Sequence, residues 1–187
     1  MSIHSVLRRS GLLALCFALP CLALAALKTD PAKSSVTATF KQMNVPIEAK
    51  FKKFTAQIDF NSVKPEASKA NVDIDIQSFD LGDPEYNKEA LKKEWFNAAQ
   101  FPHANFVSTA MKPGVNGKFE VAGKLTIKSK VIDVSFPLVV KKEGINQVFE
   151  GALPIKRLAF NIGEGDWKDT SIVADEIVIK FRIVAAQ

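Results

Sequence analysis

The sequence predicts an all-β protein of about eight antiparallel strands with one short inserted helix. Most segments alternate apolar and polar residues, which is the period of a strand that buries one face. Short turns separate these segments, as in an antiparallel meander. The 14 Phe residues, against a single Tyr, predict a dry apolar interior. An eight-stranded meander either closes into a barrel or forms a sandwich, and a small closed barrel has room for a packed core or one apolar ligand.

The first 25 residues are predicted to be a cleaved signal peptide. Arg8 and Arg9 form a charged start, an apolar stretch follows at 12–24, and small residues at positions 23 and 25 offer a cleavage site. The apolar stretch is too short to span a membrane comfortably. Cleavage would leave residues 26–187 as one domain, located in the periplasm or outside the cell.

Cleavage would also remove chemistry that depends on cysteine. Cys16 and Cys21 are the chain's two cysteines, so the remaining domain could have no disulfide, thiol nucleophile or cysteine metal site. Loss of Arg8 and Arg9 lowers the formal net charge from +5 to +3. Export and this mild charge argue against nucleic acid as a partner.

Three strands are predicted before the helix, at residues 36–40, 54–60 and 71–77. The alternation is clearest in the third strand, where every second residue from Val72 to Ile76 is apolar. Phe51 falls on the opposite parity to Phe54, which predicts a bulge or a sharp bend near residues 52–53.

The helix is predicted to begin after Asp83 and to stop before Pro102. Asp83 is a suitable N-cap, since it precedes a proline at the first helical position and an early acidic residue. Leu91, Trp95 and Ala98 recur at the spacing of a single helix face. Pro102 forces the preceding residue into an extended conformation and so ends the helix.

Four aromatic residues are expected to crowd together where this helix meets the sheet: Trp95, Phe96, Phe101 and Phe106. A lone helix with so much aromatic area, inserted in a β chain, indicates a plug or a lid. We therefore expect a cavity beneath it, and a cavity of this kind indicates a ligand.

Five strands are predicted after the helix, at residues 104–111, 118–128, 132–140, 149–160 and 177–183. Pro137 lies on the parity opposite to the apolar residues of its strand, which suits an edge or a bulge because proline cannot donate to a ladder. Pro154 predicts a kink within the fourth of these strands.

Two stretches of the chain are specific enough to indicate a family: KKEWFNAAQFPHANFVST at 92–109 and FEVAGKLTIKSKVIDVSFPLVV at 119–140. With weaker matches at 56–61, 72–80, 155–163 and 175–183, the chain resembles the YceI-like family of exported polyisoprenoid-binding proteins. The chain departs from that family at 40–54, FKQMNVPIEAKFKKF, which lacks the glycine and histidine that relatives often carry there. The resemblance implies a lipocalin-like antiparallel β-barrel around a long apolar tunnel that holds an isoprenoid or a fatty-chain amphiphile.

A buried chain ligand needs apolar walls and few polar groups. Each CH₂ removed from water contributes about 0.8 kcal/mol, so a long prenyl tail can bind without a hydrogen bond. The inward parity of the strands predicts the walls, and the aromatic cluster predicts the mouth. The predicted ligand-binding residues are Phe40, Phe54, Ile58, Ile74, Ile76, Leu125, Ile127, Phe136, Leu138 and Phe160 in the walls, with Trp95, Phe96, Phe101 and Phe106 at the mouth.

The remaining candidates are polar. His103 is the single histidine after the signal segment, so it offers no metal cluster. With a nearby Ser or Asp, such as Ser108 on the strand that follows, it raises a hydrolase hypothesis. Asp73 and Asp75 are better explained as solvent-facing residues of one strand than as paired catalytic carboxylates. Arg157 is expected at the barrel rim, where it meets an ion-pair partner, a carbonyl or a lipid head group.

The sequence thus predicts a non-enzymatic protein, without a cofactor, that binds an isoprenoid or other long-chain lipid for storage or transport in the periplasm. It is expected to be a monomer or a homodimer. Two alternatives remain: an interaction module with a packed barrel that presents an edge strand to a partner, and a His103-dependent hydrolase. Transient membrane contact is a further hypothesis for lysines that are otherwise expected on solvated strand faces: Lys50, Lys52, Lys53, Lys124, Lys128 and Lys130.

Overall fold

A computed structural model describes residues 27–186, which form a single curled antiparallel sheet with one α-helix. The elements are β1 (Lys28–Thr29), β2 (Ser35–Gln42), β3 (Val45–Phe51), β4 (Phe54–Asp59), β5 (Lys69–Asp75), β6 (Phe79–Asp80), α1 (Pro84–Ala90), β7 (His103–Pro113), β8 (Phe119–Ile127), β9 (Lys130–Glu143), β10 (Asn146–Lys156) and β11 (Glu176–Ala186). The predicted signal peptide lies outside the described residues. No helix within 27–186 is long and apolar enough to cross a membrane.

The predicted all-β class, antiparallel pairing and single helix are confirmed, and the predicted number of strands is wrong. The sheet has 11 strands, and each of the eight predicted segments corresponds to one of them. The three additional strands are β1, β3 and β6. Two residues each in β1 and β6 are too few to show a period. β3 does alternate, with Val45, Ile47, Ala49 and Phe51 on one parity, so its signal was present in the sequence and was missed.

The order of the strands explains how the sheet curls on itself. Neighbours follow the path β4-β5-β7-β8-β9-β10-β11-β2-β3-β6, and β1 pairs separately with β11. Leu27, just before β1, donates its backbone N–H to the carbonyl of Ile58 in β4 at 2.8 Å. β4, the first strand of the path, is thereby linked through β1 to β11, the seventh strand of the path. The inward side chains of distant strands consequently face one shared interior.

Aromatic side chains pack across the interior, between strands that are not neighbours in the sheet. Phe60, just after β4, packs against Phe119 and Phe149 with ring centroids 5.3 and 5.4 Å apart. Phe136 of β9 contacts Phe181 of β11 at 5.5 Å. Edge-on arrangements of this kind are the favoured geometry of aromatic pairs. The Phe-rich composition is therefore explained by the core of a curled sheet.

The helix begins as predicted but ends earlier. Asp83 caps α1 by accepting the backbone N–H groups of Glu85 and Tyr86. α1 stops at Ala90, and residues 91–101 form a series of turns, so the expectation that Leu91, Trp95 and Ala98 share a helix face is wrong. Asn97 adopts a left-handed backbone (φ 50°), which no continuous helix allows. We call residues 91–101 the α1–β7 loop.

Two predicted strands end in 3₁₀ turns before their expected last residues. β5 ends at Asp75, and 76–78 form a turn that Asp75 caps by accepting the N–H of Gln77. β10 ends at Lys156, and Arg157–Phe160 form a second turn that closes at Asn161 in a left-handed conformation. The predicted break near residues 52–53 is confirmed, because β3 ends at Phe51 and β4 starts at Phe54.

β9 and β10 separate part of the way along their length. Their pairing ends at Gly151 and Leu138, although both strands continue beyond that point. Pro137 pairs only with β8, and Pro154 pairs only with β11, so each proline nitrogen faces the gap between β9 and β10. The edge position predicted for Pro137 is confirmed. A crevice of about 330 Å³ lies in this gap.

Candidate functional site

The interior of the curled sheet contains two adjoining cavities. The inner cavity, about 130 Å³, lies among side chains such as Val72, Phe106, Phe136 and Phe149. The outer cavity, about 440 Å³, lies among Phe40, Leu81, Tyr86, Trp95 and Trp167. Tyr86 is 64% exposed, so the outer cavity reaches the surface beside α1. A cavity that opens on the helix agrees with the lid predicted from the sequence.

The inner cavity is lined almost entirely by apolar side chains. Asn105 is the one polar residue among those that surround it. Its amide donates to Asn71 at 2.8 Å and to the carbonyl of Val72 at 3.1 Å. The inner cavity therefore offers shape and apolar area rather than hydrogen bonds.

The cavities contain most of the residues predicted from strand parity. Ile58, Ile74, Ile76, Phe106, Leu125, Phe136 and Leu138 line the inner cavity, Phe40 and Trp95 line the outer cavity, and Phe96 and Ile127 line both.

Three predicted residues lie elsewhere. Phe160 borders the crevice between β9 and β10, because β10 ends before it and strand parity no longer applies. Phe54 packs against the core beside the bend at 52–53, and Phe101 lies on the extended segment before Pro102. Neither Phe54 nor Phe101 is among the residues that line the two cavities.

The four predicted mouth aromatics do not form one cluster. Trp95 packs against Trp167 with ring centroids 5.2 Å apart, whereas Phe96 packs against Phe79 at 5.1 Å. Phe106 lies on β7 and contacts Phe136 at 5.5 Å. The turns of the α1–β7 loop send successive side chains in different directions, so proximity in sequence does not bring these rings together.

Sequence reasoning did not select several lining residues, for two different reasons. Phe149, Phe181 and Val36 lie on the apolar parity of predicted strands, so the signal for them was present. Phe51 lies at the end of β3, a strand that was not predicted. Trp167 lies in an irregular segment after β10, where no period indicates which side chains are buried.

Arg157 holds the wall of the outer cavity in place. Its side chain is completely buried, and its guanidinium carbon lies 5.8 Å from the centroid of the Trp95 ring. All five of its N–H donors are directed at backbone carbonyls: Ala174 at 3.1 Å, Ile162 at 2.8 Å, Gly163 at 3.2 Å, Trp167 at 2.6 Å and Val173 at 2.8 Å. Of the partners predicted for Arg157, the carbonyl is therefore correct. We call this arrangement the carbonyl clamp and residues 161–174 the clamped segment.

The clamp carries a positive charge without a carboxylate hydrogen-bonded to it. Burial lowers the pKa of the Arg157 guanidinium from its ordinary value, and the nearby Asp175 carboxylate partly offsets that shift. An arginine stays protonated because its ordinary pKa lies far above neutral pH. Its five donors are all used by the chain's own backbone, which leaves none for a head group.

The clamped segment is also joined to the α1–β7 loop and to the turn between β8 and β9. The carbonyl of Glu94 accepts the N–H groups of Gly163 and Glu164 at 2.8 and 2.7 Å. Lys128, in the turn between β8 and β9, donates to the carbonyl of Asn161 at 2.6 Å and pairs with Glu164 at 3.2 Å. The side chain of Lys128 is 6% exposed, so the expectation that it lies on a solvated face is wrong.

The rim of the outer cavity is more polar than its walls. Asp83 and Glu89 lie beside the opening, where Asp83 caps α1 and Glu89 pairs with Lys92. Trp95 directs an indole N–H into a buried position where it has no hydrogen-bond partner among residues 27–186. Such a donor is unusual, because buried Trp N–H groups are normally paired. This unpaired donor belongs to a residue of the outer-cavity wall.

The residues of the hydrolase hypothesis are not brought together. His103 Nδ1 lies 2.8 Å from the Asp73 carboxylate on the outer surface. Ser108 is buried and accepts the N–H of Ala70 at 2.8 Å. The odd spacing of His103 and Ser108 along β7 places them on opposite faces of the sheet. Within the described part of the chain, no three His, Asp or Glu residues are grouped as a metal site would require.

The sequence profile of the YceI-like domain family matches residues 27–185. A UPF0312 protein of Pseudomonas savastanoi pv. phaseolicola is 35% identical over 95 residues, which are 51% of this chain and 47% of that protein. A UPF0312 protein of Pseudomonas putida strain W619 is 33% identical over 98 residues, 52% of this chain and 51% of that protein. The chain thus matches about half the length of these relatives.

Two solved structures share the fold. BcnA of Burkholderia cenocepacia superposes with a TM-score of 0.83 at 53% identity, over 85% of this chain and 100% of that chain. A domain from Saccharophagus degradans, described as polyisoprenoid binding and implicated in plant cell wall breakdown, superposes with a TM-score of 0.68 at 14% identity. That superposition covers 88% of this chain and 99% of the domain.

Proposed function

The chain belongs to the family of YceI-like domains, and on that premise we propose that it binds an isoprenoid lipid, or a similar long-chain amphiphile, in the two adjoining cavities. The observation that carries this proposal is the inner cavity, where Asn105 is the one polar residue among the lining side chains. The polyisoprenoid-binding description of the Saccharophagus domain supports the same class of ligand.

The energetics favour a chain ligand that is recognised by length. Burial of one five-carbon isoprene unit is worth about 4 kcal/mol at about 0.8 kcal/mol per carbon, before the costs of association. The apolar tail would occupy the inner end, and the polar end would lie beside the outer rim. Gln42, Tyr86 and Glu89 line the outer cavity and offer polar side chains to the head group.

The biological role that we propose is storage or transport of such a lipid in the periplasm. Residues 1–25 would serve as the signal for export, and the domain would shield the prenyl chain from water. The protein would act without a cofactor, as a monomer or a homodimer, and lysines on its surface would make transient contact with a membrane.

The interaction-module alternative would require an available strand edge, and β9 and β10 have such edges where they separate. Pro137 and Pro154 each remove a donor from that gap. Prolines at an edge oppose the addition of another strand. We therefore favour lipid binding over recruitment of a partner strand at this gap.

The test is native mass spectrometry of the exported protein after mild purification, with its organic extract analysed in parallel. We expect a stoichiometric prenyl or fatty-chain species in the wild type. Leu138→Asp places a charge beside the inner cavity, whereas the control Val131→Asp changes an exposed residue of the same strand. Val131→Asp should retain the lipid, and Leu138→Asp should lose it or unfold.

Two results would contradict the proposal. One is a ligand-free wild type that also fails to bind added geranylgeraniol in a titration followed by tryptophan fluorescence. The other is a folded Leu138→Asp variant that retains the full complement of lipid. Either result would shift the interpretation to a packed barrel with a different function.

A further inference from the structure

The two cavities meet at a ring of four side chains. Phe51, Phe96, Ile127 and Ile179 are the residues that line both the inner and the outer cavity. Phe51 lies in β3, Ile127 in β8 and Ile179 in β11, whereas Phe96 lies in the α1–β7 loop. The four side chains therefore reach the junction from four separate segments of the chain. We call these four residues the constriction. Any chain that extends from the outer rim into the inner cavity must pass it.

The cavity volumes show why the constriction matters. The inner cavity measures about 130 Å³ and the outer cavity about 440 Å³. An apolar cavity of about 150 Å³ accommodates one benzene molecule. The inner cavity in its present shape therefore accommodates roughly one isoprene unit. A longer tail needs the constriction to widen.

Phe96 differs from the other three residues of the constriction in its backbone. Phe51, Ile127 and Ile179 belong to strands, where ladder hydrogen bonds fix their positions. Phe96 lies in the α1–β7 loop, held by one bond from its N–H to the carbonyl of Ala90 at 3.0 Å. The left-handed residue Asn97 follows directly. Phe96 is thus the member of the constriction whose ring can move with the least disturbance of the sheet.

The contacts of Phe96 define where its ring rests. It packs edge-on against Phe79 with centroids 5.1 Å apart and lies 6.4 Å from Phe51. Phe51 and Phe79 are themselves 5.3 Å apart. The three rings form an aromatic partition on one side of the constriction. Shortening one of them opens the junction, whereas the opposite wall of Ile127 and Ile179 stays in place.

We propose that Phe96 is the residue that determines the length of the ligand chain. With its ring in the constriction, the tail fills the outer cavity and reaches the inner cavity with only its last unit. Removal of the ring joins the cavities and allows longer tails. This inference rests on the proposed function, because it assigns a chain-length limit to the same binding site.

The chain provides its own probe for this test. Its two Trp residues, Trp95 and Trp167, both line the outer cavity, so intrinsic fluorescence reports whether that cavity is occupied. The ligands are prenyl alcohols of two to six isoprene units. Dissociation constants would be measured for the wild type and for Phe96→Ala, with Phe96→Leu as the milder variant if the first fails to fold. Circular dichroism establishes folding.

The expected result is a difference in the chain length at which affinity stops rising. Each buried methylene raises affinity about fourfold, so each accommodated isoprene unit should raise it by at least about tenfold. In the wild type the gain should stop once the last unit of the tail fills the inner cavity. In Phe96→Ala it should continue for at least one further unit.

Two further variants test whether the effect belongs to the constriction. Phe101→Ala removes a ring from the same α1–β7 loop but outside both cavities, so the limiting length should stay at the wild-type value. Ile179→Phe narrows the constriction and should shorten the limit.

Three results would each overturn the role of Phe96: an identical limit in the wild type and Phe96→Ala, no limit in the wild type, or an equal shift in Phe101→Ala. Failure of every alcohol to bind the wild type would instead overturn the proposed function and the chain-length limit with it.

Discussion

The inner and outer cavities adjoin each other, yet they are held together by different interactions. The inner cavity is surrounded by strands whose side chains alternate, and its walls rest on continuous ladders such as β7–β8 and β8–β9. The outer cavity has part of its wall in irregular segments, namely the α1–β7 loop and the clamped segment. Those segments are anchored by a few buried polar contacts, chiefly the five carbonyl bonds of Arg157.

This difference shows how stability is distributed in the two walls. Many small apolar contacts share the stability of the inner wall, so losing one side chain leaves the ladders intact. The outer wall depends on a single side chain that satisfies five buried acceptors. A buried carbonyl that loses its donor costs about 1–3 kcal/mol. We therefore expect single substitutions to affect the two walls unequally.

The largest effect is expected for Arg157→Met. Methionine fills part of the space but leaves the carbonyls of the clamped segment without donors, so stability should fall by about 3–5 kcal/mol. Urea unfolding followed by circular dichroism measures the change. The control is Arg182→Met, which removes a partly exposed arginine paired with Glu143 and should cost under about 1 kcal/mol. Equal losses in the two variants would show that the clamp has no special role.

A smaller loss of stability is expected for a substitution in the inner wall. Leu125 is 6% exposed and lines the inner cavity, so Leu125→Ala should cost about 2–4 kcal/mol. Tryptophan emission should stay at the wild-type wavelength, because both Trp residues lie in the outer wall, whereas Arg157→Met should shift it. A shifted emission in folded Leu125→Ala would mean that the two walls are coupled.

The third prediction concerns Gly163, which lies beside the clamp. Its backbone is left-handed (φ 78°), and a Cβ there would lie 2.1 Å from Arg157 Nη1. Gly163→Ala should therefore cost about 2–3 kcal/mol, combining backbone strain with displacement of the guanidinium. Gly165 has a similar φ of 62° and nothing within 4 Å of an added Cβ, so Gly165→Ala measures backbone strain alone. The difference between their urea midpoints isolates the contact with Arg157.

The smallest expected effect concerns the pH dependence of stability. It involves Asp80, which directly precedes Leu81 and Gly82 in the wall of the outer cavity. Hydrogen bonds from Lys52, Asn87 and the N–H of Gly82 lower the pKa of Asp80 from 3.8 to about 2. The carboxylate thus stabilises the fold above about pH 4, and that contribution is lost as the pH falls toward 2.

Asp80→Asn should remove this part of the acid sensitivity. The fall in Tm between pH 4 and pH 2 should be smaller in the variant than in the wild type. The Tm of the variant at pH 7 should lie below that of the wild type, because the variant lacks the contribution of the carboxylate. Lys52→Gln removes the first of the three donors and should produce an intermediate slope. Identical slopes in the wild type and Asp80→Asn would contradict the assignment.

Most of the inner wall could be predicted from the sequence. A strand that buries one face shows a period of two within a few residues, so Ile58, Leu125, Phe136 and Leu138 were identified from local pattern alone. The cap at Asp83 and the break at residues 52–53 were also local signals. These predictions succeeded because each depends only on residues that are close together in the sequence.

The outer wall could not be predicted in the same way. The acceptors of Arg157 lie 5 to 17 residues away along the chain and are backbone carbonyls, which every residue has. The contact between Trp95 and Trp167 and the constriction around Phe96 likewise join segments without a shared period.

Local alternation thus established the sheet, its buried face and the apolar character of its interior. Only the folded chain decided that this interior divides into two cavities, because the division depends on which irregular segments meet across the end of the sheet.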